Sequence, residues 1–142
     1  MIDTSKNTIV AELITAGVFT ADNTPVAVDV SGARDATILI GIGAGGITFT
    51  STNKIEFVLT HSDDGSTYEA VETGDVIGAG TVSDGVICAL AAAHASSEIK
   101  KFGYIGNKKY LKLLADFSGT HGTGTPISAC VIQSAPYLRP VA

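Results

Sequence analysis

An all-β domain built as two packed sheets is the fold this sequence predicts, and three observations lead to it. Apolar and polar residues alternate with period two in segments such as Ile55-Glu56-Phe57-Val58-Leu59-Thr60 and Tyr110-Leu111-Lys112-Leu113-Leu114-Ala115-Asp116-Phe117, which gives a strand one apolar and one wet face. Other segments are short and β-branched, and Gly, Asn and Asp punctuate them about every ten to fifteen residues, the cadence of an all-β chain. Nine candidate strands in 142 residues are too many for one open sheet, so they are expected to pack as a sandwich. That length suits one hydrophobic core, hence a single domain over 1–142, with an N-terminal arm at about 1–20 and a C-terminal tail at about 135–142.

The candidate strands, in order, are Thr8–Leu13, Val26–Val30, Ala36–Ile42, Lys54–His61, Thr67–Val71, Val86–Leu90, Ile99–Ile105, Tyr110–Ser118 and Pro126–Ser134. In the fourth, Ile55, Phe57 and Leu59 share the core face. In the eighth, Leu111, Leu113, Ala115 and Phe117 do so, opposite Lys112 and Asp116. Gly106-Asn107 suits a tight hairpin between the seventh and eighth. Helix is expected to be scarce. Thr8–Ala16 and Ala89–Glu98 are the two segments that compete for it, the second because of its alanines. After Phe117, Ser-Gly-Thr-His-Gly-Thr-Gly-Thr-Pro reads as a flexible connection. The proline-bracketed tail carries Tyr137, Leu138 and Val141, apolar enough to dock on its own domain or a neighbour.

Composition narrows the function. Apolar residues make up 45% and charged ones 16%, with 16 glycines and a net charge of −5. Phosphate binding needs clustered Lys and Arg, and the nine present are scattered apart from Lys100-Lys101 and Lys108-Lys109, which read as solvated strand ends. No nucleic-acid partner is expected. No 18-residue apolar run is present, so no membrane partner is expected either. The N-terminal stretch, with Glu12 in its middle, does not read as a signal peptide, which suggests a soluble protein made in a cytosol. Cys88 and Cys130 sit in apolar runs, where free cysteine behaves as a small hydrophobe. A disulfide between them is possible and not implied.

Three places could carry chemistry. Ser62-Asp63-Asp64-Gly65-Ser66-Thr67 gathers oxygen ligands, but it lacks the alternate spacing and the bidentate glutamate of a calcium loop. Asp-Gly between two strands is instead a hairpin signal, with Ser62 and Asp63 able to hydrogen-bond the turn, so Ser62, Asp63, Asp64 and Gly65 are assigned to a structural turn. It is similar to the Asp-box turn, one residue short and with Tyr68 for the tryptophan. Gly41-Ile42-Gly43-Ala44-Gly45-Gly46 matches a dinucleotide fingerprint, which works only at a helix N-terminus. The β-branched and aromatic residues from Ile47 to Thr52 argue against that helix, leaving a glycine-rich loop or bulged strand. His61, His94 and His121 have no metal-site spacing. No serine sits in a nucleophile elbow, and neither cysteine has a neighbouring histidine. No enzyme, cofactor or metal is expected.

Three blocks carry a resemblance: VAVDVSGARDATILIGIGAG (Val26 to Gly45), FVLTHSDDGSTYEAVETGDVIG (Phe57 to Gly78), and IKKFGYIGNKKYLKLLADFSGTHGTGTPISACVIQSAPYLRP (Ile99 to Pro140). In order and composition they resemble a family of small structural proteins of tailed bacteriophages and prophages, found with the head genes. Lys109 and Lys112 stand where arginine is more usual, and Ala89–Glu98 is richer in alanine. The resemblance implies a jelly-roll-like β-sandwich of about eight or nine antiparallel strands. It implies a decoration (cement) protein on the virion head surface, synthesised in the host cytoplasm, which binds the major capsid protein and assembles as a homotrimer. Candidate capsid or subunit contacts are Ile2, Ile9, Leu13, His121, Tyr137, Leu138 and Arg139, from the terminal segments and the Gly119 to Thr125 loop. The alternatives are a head–tail connector or tail protein, which should form a ring of six or twelve subunits, and a carbohydrate- or receptor-binding sandwich using exposed tyrosines, with Tyr104 and Tyr110 flanking a turn.

Overall fold

The fold is seen in a computed structural model that describes residues 4–134. Its strands are β1 (Thr8–Phe19), β2 (Val28–Asp29), β3 (Ala36–Ile42), β4 (Lys54–Ser62), β5 (Glu69–Ala70), β6 (Val76–Ile77), β7 (Val86–Leu90), β8 (Glu98–Tyr104), β9 (Tyr110–Ser118) and β10 (Thr125–Ser134). Helix is confined to two 3-10 turns, Ser5–Asn7 and Thr73–Asp75. One sheet runs β1-β10-β3-β8-β6. The other runs β2-β9-β4-β5, with β7 also paired to β4. All named pairings are antiparallel.

The pairing has a nested logic. β1 lies beside β10, β2 beside β9, β3 beside β8 and β4 beside β7. The chain therefore behaves as one long folded ribbon that is rolled up, and the roll brings β3 against β10 and β4 against β9. This is jelly-roll connectivity, and the expected all-β sandwich is present.

The core lies between the sheets. Ile38, Ile40 and Ile42 of β3 and Ile127, Ala129 and Val131 of β10 face Ile55, Phe57 and Leu59 of β4 and Leu111, Leu113 and Ala115 of β9, all of them buried. Each large side chain buried there stabilises the fold by roughly 1.5–3 kcal/mol before entropy is counted. β4 and β9 pair from Lys54 opposite Ser118 to Ser62 opposite Tyr110 and keep the alternation read from the sequence except at one end of each, where Ser62 is buried next to His61 and Phe117 is only half-buried.

Several expectations are corrected. β1 extends to Phe19, and residues expected as an N-terminal arm form, from Thr8 onward, the edge strand of the first sheet. Its register slips between Glu12 and Ile14, and again between Ile14 and Gly17. The first slip lets two successive residues, Leu13 and Ile14, both turn inward, as a bulge does. Neither segment with helical leanings is a helix. Thr8–Ala16 pairs with β10, where ladder bonds outweigh helix propensity, and Ala89–Glu98 leaves β7 at Leu90 as a mostly exposed loop that ends where β8 begins. β6 was not anticipated, since two residues are too few for a period. β2 and β5 are shorter than expected. Beyond the two pairs that β2 makes, side chains take over: Asn23 accepts from Ala115 N (2.7 Å) and donates to Leu113 O (3.2 Å), and Asp22 accepts from Phe117 N (2.7 Å).

Candidate functional site

The oxygen-rich loop after β4 is the first place to look for chemistry, and its geometry is that of a turn. Asp64 Oδ1 accepts hydrogen bonds from Ser62 Oγ (2.9 Å), Ser66 N (2.8 Å) and Thr67 N (2.8 Å). Ser62 Oγ in turn accepts from Asp64 N (3.2 Å) and Gly65 N (3.0 Å). Gly65 holds φ at +74°, a conformation that costs glycine little. Three donors on one carboxylate oxygen stabilise the ionised form, so Asp64 is pulled from 3.8 down to about 2, the backbone N–H of Thr67 contributing most. Among the described residues, no group of three or more His, Cys, Asp or Glu is placed to hold a metal ion.

Asp63 points the other way, into a cross-hairpin ion cluster. Lys108 Nζ lies 2.8 Å from Asp63 Oδ2 and 3.1 Å from Glu69 Oε1. The hydrogen bond to Asp63 is the main reason that the lysine is held well above its usual range. Behind this cluster is a buried pair, His61 and Tyr104, with Nδ1 and the hydroxyl 3.0 Å apart. Burial raises the Tyr104 hydroxyl, which keeps its proton available to His61 Nδ1. His61 Nε2 then faces Glu69 Oε1 at 3.5 Å, and Lys108 N donates to the Tyr104 hydroxyl at 3.2 Å. The network locks the β4–β5 hairpin to the β8–β9 turn. Tyr104, the aromatic expected to serve a glycan in the carbohydrate-binding reading, is 6% exposed.

The expected contact residues do not converge. Ile9 is 45% exposed on β1. Leu13 is 1% exposed because the bulge turns it into the core, and His121 is 3% exposed, so neither offers surface to a partner. His121 Nε2 donates to Ser118 O at 2.8 Å, and its ring packs edge-on to Phe117 with centroids 4.7 Å apart. Ile2, Tyr137, Leu138 and Arg139 lie outside the described residues. His94 sits elsewhere, bonded to Gly43 O through Nε2 (3.1 Å) and facing Glu98 through Nδ1 (3.5 Å). Gly46 of the glycine-rich loop gives its N–H to Gly124 O at 2.9 Å and opens no helix. Cys88 is on the inward phase of β7, opposite Phe57, whereas Cys130 is on the outward phase of β10, opposite Glu12. Both are free thiols.

One surface remains that no local motif announced: the outer face of the first sheet. Register places its residues in rows across the strands. Val10, Ile132, Thr37, Gly103 and Ile77 form one row, Glu12, Cys130, Leu39 and Lys101 the next, Ser128, Gly41 and Ile99 a third, and Val18 and Pro126 the last. Glu12 and Lys101 are the two charges in these rows. Val10 is 62%, Val18 64%, Ile77 59% and Ile99 75% exposed. Where Gly41 and Gly43 lack side chains, a shallow open groove of about 570 Å³ runs between Val18 and Ile99. Residues from five strands build this face, so only the pairing order reveals it. An apolar, weakly charged face of this kind is typical of a protein contact surface.

No helix among the described residues is long and apolar enough to cross a membrane. In comparisons with known proteins, no family model matches the chain, and no curated protein or solved structure matches it, so the family resemblance rests on the three sequence blocks alone.

Proposed function

We propose that this chain is a non-enzymatic structural protein of a tailed-phage or prophage virion, a decoration protein that lies on the outside of the head shell and strengthens it by binding the major capsid protein. The observation that carries this reading is the outer face of the first sheet. A protein that clamps a lattice needs a rigid scaffold and a broad surface that is cheap to desolvate, and charges are what make desolvation expensive. This face has two charges in its rows and four apolar side chains that are more than half exposed. The sequence blocks supply the class of partner.

The test is co-sedimentation of the purified chain with mature, empty head shells. The reading expects saturable binding in fixed ratio to shell subunits. Ile99→Glu puts a carboxylate beside the groove and is expected to weaken binding at least tenfold while the far-UV spectrum and Tm stay unchanged. Absence of binding, or binding indifferent to Ile99→Glu, overturns it. A ring of six or twelve subunits that ignores the shell wall would assign the chain to the neck or tail.

A further inference from the structure

Among the described residues, the longest uncovered strand edge belongs to β1. Among the described residues it pairs with β10 on one side and with no strand on the other. A free edge offers a row of backbone donors and acceptors, which proteins ordinarily blunt with lysine, proline, bulges or shortness. The other edges here are blunted in those ways. β2, β5 and β6 have two residues each, and β7 has five, interrupted by a register slip between Val86 and Cys88. Asp22 and Asn23 close off β9, and the part of β8 beyond β6 carries Glu98, Lys100 and Lys101. β1 has 12 residues with no lysine, arginine or proline. Its register slips fall after Glu12, so Thr8 to Glu12 is a regular, unprotected edge.

We propose that this edge pairs with the same edge of a second copy of the chain, antiparallel about a two-fold axis at Val10, so that two five-stranded sheets become one continuous sheet. Three features favour a second copy as the occupant. A head-to-tail contact would need another free edge of comparable length, and the longest strand edge available to match β1 is β1 itself, which is the condition for an isologous contact. In this register Thr8 lies opposite Glu12 and Ile9 opposite Ala11, so the one charge of the strand meets a hydroxyl and never a like charge. Lys6, two residues before Thr8, adds positive charge on the side of the other copy's Glu12. The contact closes at two copies. It gives a dimer for the free protein, in place of the homotrimer that the family resemblance implies, and it does not depend on a shell.

The experiment is light scattering of the full chain over a concentration series, with two variants. The expected mass is that of a dimer. Val10→Lys, at a position 62% exposed, sets two lysines face to face at the axis and should raise the dimer Kd at least tenfold with the far-UV spectrum unchanged and with the concentration dependence of Tm reduced. In a Cys88→Ser, Cys130→Ser background, Val10→Cys should oxidise in air to a covalent dimer in high yield, because directly opposite residues hold their Cβ atoms about 4.5–5.5 Å apart. Thr67→Cys, in the hairpin, should not. A monomer at every concentration, a trimer indifferent to Val10→Lys, or equal cross-linking from both cysteines overturns the proposal. If Val10→Lys fails to fold, the cross-linking comparison decides.

Discussion

At the scale of single residues, the chemistry of this protein is structural. Asp64 shows it: its carboxylate is already occupied by three donors, so calcium should leave Tm unchanged. Its pH dependence has a definite sign. Above about pH 5 the group is ionised whether the chain is folded or not, and its stabilisation is fully present. As pH falls, the unfolded chain takes up the proton near 3.8 and the folded one only at about 2, so stability is lost across that window. Urea melts of the wild type and Asp64→Asn should therefore converge between pH 5 and pH 2, and parallel curves would refute the assignment. The two thiols offer a second check. Burial pushes Cys88 up to about 12, and a thiol without thiolate is a poor nucleophile. At pH 8, a maleimide should label Cys130 on the outer face well before Cys88, and equal rates would contradict the placement. The turn was readable in the sequence because its bonds are local. The roles of Leu13 and His121 were not, because a bulge decides the first and a ring from a distant segment, Phe49, joins the nearby Phe117 around the second.

At the scale of elements, β4 and β9 were legible because each has one wet face and one dry one, and period two records that division directly. β1 was legible only in its first half. Its bulges bring Leu13 and Ile14 to the same side and break the alternation that marks a strand. Of the strand order only the β4–β5 hairpin was legible, from its Asp-Gly turn. The hairpin expected at Gly106–Asn107 instead carries the chain from β8 in one sheet to β9 in the other, and the remaining long pairings join residues far apart in the chain. The core between the sheets and the outer face of the first sheet make an energetic prediction. Leu59→Ala on β4, fully buried, should cost about 2–5 kcal/mol in urea unfolding. Ile99→Ser on β8, 75% exposed, should stay within about 0.5 kcal/mol. Similar losses for both would mean that the outer face is already covered within one chain.

At the scale of the whole molecule, the nested roll governs folding. β1 and β10 meet with Thr8 opposite Ser134, so the outermost pair closes only when nearly the whole chain has been gathered. Such non-local pairing makes folding slow, and a stopped-flow refolding time on the order of milliseconds to seconds is expected. Microsecond refolding would be incompatible with this topology. The same pairing brings the two ends of the described chain to one corner of the sandwich. A short peptide linking them would turn β1 and β10 into an ordinary hairpin, and the chain could then be reopened at the exposed Gly106–Asn107 turn. Such a circular permutant would keep every strand in place while making the most distant contact in the wild type one of the nearest, which turns the roll into a handle for engineering how fast the protein folds.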